Sequence, residues 1–285
     1  MLTTKQKIVL ARGANRVVKY LRAFSRQGMT GEFHRKGITW HLDLNEGIDF
    51  SIYCLGSFEP GTVRFYTKIL RPGDVVFDIG ANIGAHTLHF AKLVGAKGRV
   101  HAFEPTASAF QKLTRNLSLN PSLQQHVTLH HAFCSHAGEQ TIPQDIYSSW
   151  PLSRQDNLHA KHLGALQPVG DPEVICLDQL AGALSLERLD LLKLDVDGNE
   201  TKVLRGCNHI LEHFHPKVLA EIAPYVIQEN GCDMEDFWKP FRSNGYRMRT
   251  LDNPRDIPLE TSFFERNFPR FSSVNVLLYY GHSHS

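Results

Sequence analysis

Over most of its length the chain alternates short apolar runs with longer segments whose apolar residues recur at helical spacing. Between residues 75 and 133 this pattern predicts three strands separated by two helices, and two further strand–helix pairs follow residue 188. Such alternation requires parallel strands joined by right-handed crossovers, so we expect an α/β fold. The expected strands are 75–79, 99–104, 127–133, 189–195 and 217–223, and the expected helices are 84–94, 106–119, 199–212 and 232–243.

Two stretches depart from this alternation. The apolar runs 245–250 and 274–280 show no helical pattern between them, so we expect an antiparallel pair at the edge of a mostly parallel sheet. Residues 134–173 are polar, contain prolines and are rich in histidine, without a convincing metal-ligand spacing. A loop of this length in a compact domain is usually functional, and we expect it to line a substrate pocket.

Residues 1–60 read as an extension that precedes the α/β domain, which we place at 61–285. Within the extension, a helix is predicted by the helical spacing of apolar residues, and the apolar runs 38–44 and 49–55 predict a β-hairpin. The apolar residues of this helix are Leu10, Ala14, Val17, Leu21 and Phe24.

Charge is distributed unevenly along the chain. The net charge of +2 combines +7 on residues 1–31, which contain no acid, with −5 on the remainder. The predicted helix is therefore basic and amphipathic, which leaves open docking on its own domain, weak contact with an anionic membrane, an acidic partner, or nucleic acid. The acidic remainder argues against nucleic acid as a substrate or partner.

Cysteine usage and hydropathy bear on the compartment. The five cysteines are scattered and contain no C-x-x-C pair, so we expect neither a disulfide framework nor a structural zinc site. No apolar run approaches the roughly 20 residues that cross a bilayer, and no signal-peptide core is apparent. The sequence predicts a cytoplasmic protein that is at most peripheral to a membrane.

The most informative motif is DVVFDIGANIG at 74–84. It predicts a buried strand that ends in Asp78 and opens, through Gly80, Asn82 and Gly84, into a helix. Glycines permit positive φ and close approach of a ligand, and the first N–H groups of the helix face that ligand. The next strand ends in Glu104, whose carboxylate is placed to accept both hydroxyls of a ribose.

The glycine spacing selects between two nucleoside cofactors. Nicotinamide dinucleotides are bound by G-x-G-x-x-G, whereas here Gly80 and Gly84 are separated by three residues and preceded by an acid. Asp78 would repel a pyrophosphate but attract the sulfonium and amino group of S-adenosylmethionine. We therefore expect the cofactor to be S-adenosylmethionine, bound by Asp78, Gly80, Asn82, Gly84 and Glu104.

These motifs, together with three others downstream, resemble those of the FkbM family of S-adenosylmethionine-dependent methyltransferases. The resemblance runs in order from Gly37 to Glu221 and implies a class I methyltransferase with a Rossmann-like sheet. It also implies methylation of hydroxyl groups on sugars, polyketides or other secondary metabolites. The further motifs are AFEP at 102–105, RNLSLN at 115–120 and LLKLDVDGNE at 191–200.

Two positions qualify the resemblance. The usual D-V-E-G of the family is here Asp195-Val196-Asp197-Gly198, with a shorter carboxylate at the third position. Glu59 lies where the family has an acid before the glycine motif, so the resemblance implies that it reaches the methionine end of the cofactor. The alternative for Glu59 is an exposed loop acid.

Catalysis is expected where the carboxyl ends of the central strands converge. Methyl transfer needs alignment and a base that removes the acceptor proton, and Asp195 at the end of the fourth strand is our first candidate. Glu221 at the end of the next strand is the second, and Lys193 shares the face of Asp195 and can hold it ionised. Two alternatives remain: Asp195 and Asp197 cap the following helix, or Asp195, Asp197 and Glu221 hold Mg²⁺ for a diol acceptor.

The sequence thus predicts an O-methyltransferase acting on a small-molecule, glycan or lipid-linked acceptor. N- or C-methylation and cofactor binding without catalysis are the alternatives. The N-P-P-Y or D-P-P-Y motif that acts on nucleobase amines is absent after the fourth strand. Its absence argues against methylation of nitrogen.

Overall fold

The computed structural model describes residues 4–139, 142–153 and 158–281. The strands are β1 (Thr30–Arg35), β2 (Ile38–Asp43), β3 (Val75–Ile79), β4 (Arg99–Glu104), β5 (Val127–Cys134), β6 (Asp145–Ser149), β7 (Ala165–Pro168), β8 (Glu173–Ile175), β9 (Leu191–Leu194), β10 (Lys217–Ile222), β11 (Tyr246–Thr250) and β12 (Val274–Tyr280). The helices are α1 (Thr4–Phe24), α2 (Gly47–Leu55), α3 (Pro60–Ile69), α4 (Thr87–Val94), α5 (Ala107–Ser118), α6 (Pro121–Gln124), α7 (Leu177–Ala183), α8 (Glu200–Arg205), α9 (Pro224–Glu229), α10 (Met234–Ser243) and α11 (Thr261–Asn267).

The central sheet has the strand order β11-β12-β10-β9-β3-β4-β5-β8. β12 runs antiparallel to both of its neighbours, and the pairs from β10 across to β8 are parallel. This confirms the predicted α/β class, including the antiparallel pair at the edge. The strand order reverses between β3 and β9, and ligands of such sheets bind at the carboxyl ends beside this reversal.

Both faces of the sheet are covered, which explains why its central strands are buried and mostly apolar. One core cluster contains Phe237, Trp238 and Phe241 from α10, all fully buried. The cluster on the other face contains Trp40 from β2 and Tyr66 from α3, so the extension contributes to the core of the domain. The sheet is thereby held as a rigid base for the loops at its carboxyl edge.

The predicted hairpin is half wrong. β2 does form a hairpin, but its partner is β1 on the preceding side, through a turn at Lys36 and Gly37 with positive φ at both residues. The run 49–55 belongs instead to α2, which ends at Gly56 in the left-handed conformation. A short apolar run does not distinguish a strand from a buried helix, and here packing against β1 and β2 decided for the helix.

Smaller differences concern the helices. α4 begins at Thr87 rather than 84, and the helix expected over 199–212 is divided into α8 and a π-helical turn over Ile210–Phe214. α9 was not predicted, and α11 lies between β11 and β12, where no helix was expected. Element ends are set by local capping and tertiary contacts, which hydrophobic periodicity does not report.

The segment between β5 and β8 contains a hairpin of its own, β6–β7, and lies across the carboxyl edge of the sheet. On one side the N–H of Gly47 donates to the carbonyl of Trp150 at 2.9 Å. On the other side Lys161 forms an ion pair with Glu229 of α9. We call residues 135–172 the insert; its described part therefore joins the extension to the helix that follows β10.

The basic helix is confirmed as α1, but the face that docks is not the predicted one. Ile8 and Asn15 are buried, with Ala11 and Val18 partly covered, whereas Leu10 and Phe24 of the predicted apolar face are exposed. The helix has two apolar faces, and the more strongly apolar one does not contact the domain. Hydrophobic periodicity identified the helix but not the face that packs.

Candidate active site

A glycine turn follows β3 at the reversal of strand order. The N–H groups of Gly80 and Ala81 both donate to the carbonyl of Phe103, at 3.0 and 2.9 Å, which ties the turn to β4. Gly80 has φ +80°, and a Cβ at this position would lie 1.8 Å from the carbonyl oxygen of Asp195. Only glycine allows the turn to cross the end of β9 this closely, so the turn and the end of β9 form one surface.

Glu104 is held rigidly at the end of β4. One carboxylate oxygen accepts the N–H of Asn82 at 2.9 Å, and the other accepts both the N–H and the hydroxyl of Thr106, at 2.9 and 2.6 Å. The side chain is buried, and this burial raises the pKa of Glu104. The oxygen that accepts from Thr106 already takes two hydrogen bonds, whereas the oxygen that accepts from Asn82 takes one, so Glu104 keeps a free acceptor site for a ribose hydroxyl.

A pocket is enclosed by the carboxyl ends of the central strands and by the insert. It combines the Glu104 carboxylate, an apolar section and, at the β9 end, two further acids. These three surfaces match, in order, the ribose, the base and the positively charged tail of a nucleoside, so the residues fit S-adenosylmethionine. The lining includes Ile79, Gly80, Asn82, Phe103, Glu104, Pro105, Phe133, Ile146, Ser148, Asp195, Val196, Asp197 and Asn199.

Two of the predicted cofactor residues lie behind the turn and do not line this pocket. Asp78 is fully buried and accepts a hydrogen bond from the Thr87 hydroxyl at 2.6 Å. Gly84 has φ +88°, and a Cβ there would lie within 2.8 Å of side-chain atoms of Leu88 and Leu113. In this structure Asp78 and Gly84 shape the turn, while Gly80, Asn82 and Glu104 form its pocket surface.

Glu59 lies beside the acids at the end of β9. It precedes α3 in the left-handed conformation, φ +44°, and one of its carboxylate oxygens accepts a hydrogen bond from Asn275 of β12 at 2.8 Å. Burial and the charge of Asp195 raise the pKa of Glu59. With only 20% of its side chain exposed, Glu59 does not fit the description of a free loop acid.

Lys193 is a buried cation beneath this cluster. Its ammonium lies 3.2 Å from the carboxylate of Asp195 and 3.6 Å from that of Asp78. Burial by itself lowers the pKa of Lys193, but the carboxylates of Asp195 and Asp78 outweigh it, and the pKa lies above its usual value. Lys193 therefore stays positively charged, and it lies on the same face as Asp195, as the strand alternation predicted.

Glu221 lies close enough to Asp195 for their carboxyl groups to share a hydrogen bond. Burial, followed by the charges of Asp195 and Glu59, raises the pKa of Glu221 well above its ordinary value. Two carboxyl groups this close do not readily ionise together, which is why the charge of Asp195 contributes to the raised pKa of Glu221. The structure thus brings together both predicted base candidates with Glu59 and Lys193.

Asp197 occupies the turn after β9, with φ +48°. Burial and the charges of Asp195 and Glu200 raise the pKa of Asp197 well above its ordinary value. Neither Asp195 nor Asp197 is the N-cap of α8, which is Asn199. Within the ranges that the structure describes, no group of three or more His, Cys, Asp or Glu side chains is arranged to hold a metal ion, so the magnesium alternative gains no support.

The sequence analysis missed two contributors to this region. Asn275 is the single polar residue near the start of the apolar run VNVLLYY, and it pairs in register with Glu221. A lone amide in a buried strand was a detectable signal. Ser148 of the insert accepts a hydrogen bond at its carbonyl from the Asn82 side chain at 3.0 Å, and nothing in its sequence context indicated that contact.

A larger cleft, of about 510 Å³, adjoins the pocket and shares Asn82 and Ser148 with it. Its lining mixes carboxylates, cations, amides and one indole, which is typical of sites for polar, ring-shaped ligands. The lining includes Asp43, Glu46, Asp49, Lys112, Arg115, Ser149, Trp150 and Gln167.

Comparisons with known proteins agree with these features. The family model described as the methyltransferase FkbM domain matches residues 78–248. The chain is 57% identical over 163 residues to the 31-O-demethyl-FK506 methyltransferase FkbM of Streptomyces tacrolimicus, a match that covers 48% of this chain and 60% of that protein. It is 25% identical over 157 residues to the hexuronic acid methyltransferase AglP of Haloferax volcanii, covering 54% of this chain and 58% of the relative.

The chain therefore spans less than two thirds of the length of either relative. Among solved structures, the methyltransferase FkbM of Methylobacillus flagellatus KT is 15% identical to this chain, with a TM-score of 0.42. The match covers 76% of this chain and 50% of that one, and a TM-score this low supports no functional conclusion. The family match extends over well over half of the chain and contains the glycine turn, Glu104, Asp195 and Glu221. The chain belongs to the FkbM methyltransferase family.

Proposed function

We propose that the protein transfers a methyl group from S-adenosylmethionine to a hydroxyl group of a sugar, glycan or secondary metabolite. The observation that carries this proposal is the meeting of Asp195 and Glu221 beside the pocket formed by the glycine turn and Glu104. A proton acceptor next to a cofactor pocket is what O-methylation requires, because a neutral hydroxyl is a weak nucleophile.

Each residue has a distinct task in this reaction. When bound, S-adenosylmethionine supplies a methyl group on a positively charged sulfur, open to in-line displacement. Glu104 would accept a ribose hydroxyl, and Glu59 would face the methionine end. The hydroxyl proton would pass to the Asp195–Glu221 pair while the acceptor oxygen takes the methyl group, and the sulfur would keep the electrons of the broken S–C bond, so that neutral S-adenosylhomocysteine leaves.

The electrostatics of the acid pair suit it to this task. An ordinary carboxylate is a weak base at neutral pH, and burial together with the charges of Asp195 and Glu59 brings the pKa of Glu221 nearer to neutrality, where a general base is most effective. The Lys193 ammonium offsets the negative charge of these clustered carboxylates. It lies 3.2 Å from the Asp195 carboxylate and so holds that side chain in place.

The acceptor class rests on two kinds of support. One relative is named for hexuronic acid and another for 31-O-demethyl-FK506, both hydroxyl-bearing compounds. The cleft of about 510 Å³ offers carboxylates, amides and the Trp150 indole, which together suit a polyhydroxylated ligand. The cleft adjoins the cofactor pocket, so a glycan longer than the methylated unit can extend into it.

Transfer of a labelled methyl group tests this function. Purified protein is incubated with methyl-labelled S-adenosylmethionine and a panel of uronic acids, neutral sugars and macrolide alcohols, and the product is examined by NMR. We expect the label on oxygen. A label on nitrogen or carbon contradicts O-methylation, and cofactor binding without transfer to any acceptor class favours the non-catalytic alternative.

The ribose assignment gives a separate prediction. Glu104→Ala is expected to weaken S-adenosylmethionine binding by about 1–3 kcal/mol, because a ribose hydroxyl loses its acceptor and the Asn82 N–H loses its own. Calorimetry measures the change. Thr106→Val is the matched control, since it removes one donor to Glu104 but keeps the carboxylate. Equal affinity of Glu104→Ala and wild type would refute the assignment.

A further inference from the structure

The outward surface of α1 is an unusual feature of this protein. Five large side chains on it are 57–84% exposed, although they recur at the spacing of one helical face. Among the residues that the structure describes, six of the eleven exposed large hydrophobic side chains belong to this one helix. We define its outer face as Leu10, Val17, Tyr20, Leu21 and Phe24.

The opposite side of α1 holds it in place. Asn15 donates a hydrogen bond to the carbonyl of Leu44 at 2.5 Å, and Ile8 is buried in the core cluster that contains β2. Arg12 donates to the carbonyl of Pro151 at 3.1 Å. These contacts use up the inner side of the helix, so the outer face is available for a partner outside the chain.

Charge identifies the kind of partner. Residues 1–31 carry seven cations and no acid. By helical position Lys7 and Arg16 flank the outer face, and both are exposed. An apolar strip between cations matches the boundary between the acyl chains and the anionic headgroups of a bilayer.

A second copy of the chain fits this surface less well. In a symmetric dimer the same face meets itself, which brings the cations of both copies together around the apolar strip. Like charges at an interface oppose association. We propose that the outer face of α1 seats the protein on an anionic membrane surface, with the helix lying in the interfacial plane.

This mode of attachment is peripheral. Within the described ranges no helix is long and apolar enough to cross a bilayer. α1 contacts the insert through Arg12 and, at 3.4 Å, through the bond from Lys5 to the carbonyl of Ala160. The same insert lines the larger cleft through Trp150, the residue before Pro151, so α1 adjoins the cleft proposed for the acceptor.

Vesicle co-sedimentation of the full chain tests the proposal. We expect binding to phosphatidylcholine vesicles that contain about 25% phosphatidylglycerol, little binding to pure phosphatidylcholine, and release at high salt, because screening shortens the reach of exposed charges. The double variant Leu21→Asp/Phe24→Asp should bind at least about tenfold more weakly, since two apolar side chains no longer enter the interface. Both side chains are exposed, so the fold is preserved.

Leu184→Asp is the matched control, because Leu184 is 42% exposed and lies outside α1. It should bind as wild type does.

Two outcomes of the vesicle experiment overturn the proposal: no binding of wild type to the anionic vesicles at low salt, and equal binding by wild type and the double variant. If the wild type instead dimerises in light scattering and the double variant is monomeric, without vesicle binding by either, the face is a self-association surface and the proposal is wrong. Cofactor affinity serves as an independent readout of the proposed reaction in every variant.

Discussion

Asp195→Asn is expected to lower turnover by about 10² to 10⁴ fold while leaving S-adenosylmethionine affinity close to that of wild type. The amide keeps the size and polarity of the side chain but cannot take up the acceptor proton. Single-turnover methyl transfer and calorimetry on the same preparation separate the two effects. A loss of cofactor affinity equal to the loss of turnover would mean that Asp195 binds rather than reacts.

Glu221→Gln is the paired experiment, since its carboxyl group lies close enough to that of Asp195 for the two to interact. If Asp195 takes the proton, the Gln variant keeps part of its activity; if Glu221 does, that variant is the inactive one. Near-normal turnover in Asp195→Asn together with an inactive Glu221→Gln assigns the base to β10. Full activity in both variants would leave alignment, without a carboxylate base, as the source of catalysis.

The pH profile distinguishes these roles further. Burial raises the pKa of Glu221 well above its ordinary value of 4.5, and the charges of Asp195 and Glu59 add to this. Protonation of Glu221 removes one of the two carboxylates of the proposed base, so wild-type turnover should fall as the pH drops through the raised pKa of Glu221. In Glu221→Gln this acidic limb should move to lower pH, because the group with the raised pKa is gone. If the acidic limb of the pH profile stays at the same pH, the electrostatic coupling of Glu221 to the proposed base is contradicted.

Lys193→Met is expected to destabilise the fold by about 3–5 kcal/mol. Lys193 is 4% exposed and lies between two carboxylates, of which Asp78 is fully buried. Without the ammonium, Asp78 keeps the cost of burial but loses its partner. The midpoint of urea unfolding measures the loss.

Two comparisons test this explanation. Asp78→Asn combined with Lys193→Met removes both charges of the fully buried pair and should recover part of the stability, because the carboxylate that remains, Asp195, is 24% exposed and is still solvated. Arg188→Met breaks an ion pair with Asp74 at an arginine whose side chain is 58% exposed, and should cost less than about 1 kcal/mol. If Lys193→Met unfolds no more readily than Arg188→Met, the buried pair does not stabilise the protein.

The effect of Lys193→Met should depend on pH in a defined direction. Burial raises the pKa of Asp78 above its ordinary value of 3.8, and Lys193 opposes that rise. Removing Lys193 therefore raises the pKa of Asp78 further in the folded state. A group with a raised folded-state pKa contributes stability that is present below its unfolded pKa and is lost as the pH rises through the folded one. The variant should be closest to wild type in acid and weakest at neutral and alkaline pH.

The local sequence was sufficient for the centre of this molecule. β3, the glycine turn and the end of β4 are encoded by a buried apolar run, residues suited to positive φ, and a carboxylate at a strand end, all within residues 74–105. Contacts over such short separations follow from backbone geometry and hydrophobic periodicity. The parallel order of the strands followed as well, because crossover connections admit one handedness.

Other features depended on contacts between distant residues. Glu59 and Asn275, 216 residues apart, meet only because β12 inserts between β10 and β11. Asp78 lies behind the turn rather than in the pocket because Thr87 and Lys193 bind its carboxylate there. Glu59 and Asp78 were singled out from the sequence, but their surroundings, including Asn275, were not encoded nearby.

The sequence by itself determined the α/β class, the site at the carboxyl ends of β3, β4 and β9, and the carboxylates that converge on it, because each depends on short-range periodicity and strand-end position. Tertiary structure alone decided that residues 49–55 form a helix, which face of α1 packs, and how Asp195, Glu221 and Lys193 share charge. Those outcomes depend on which surfaces are buried together, and burial sets both the packing of an ambiguous apolar segment and the pKa of a carboxyl group.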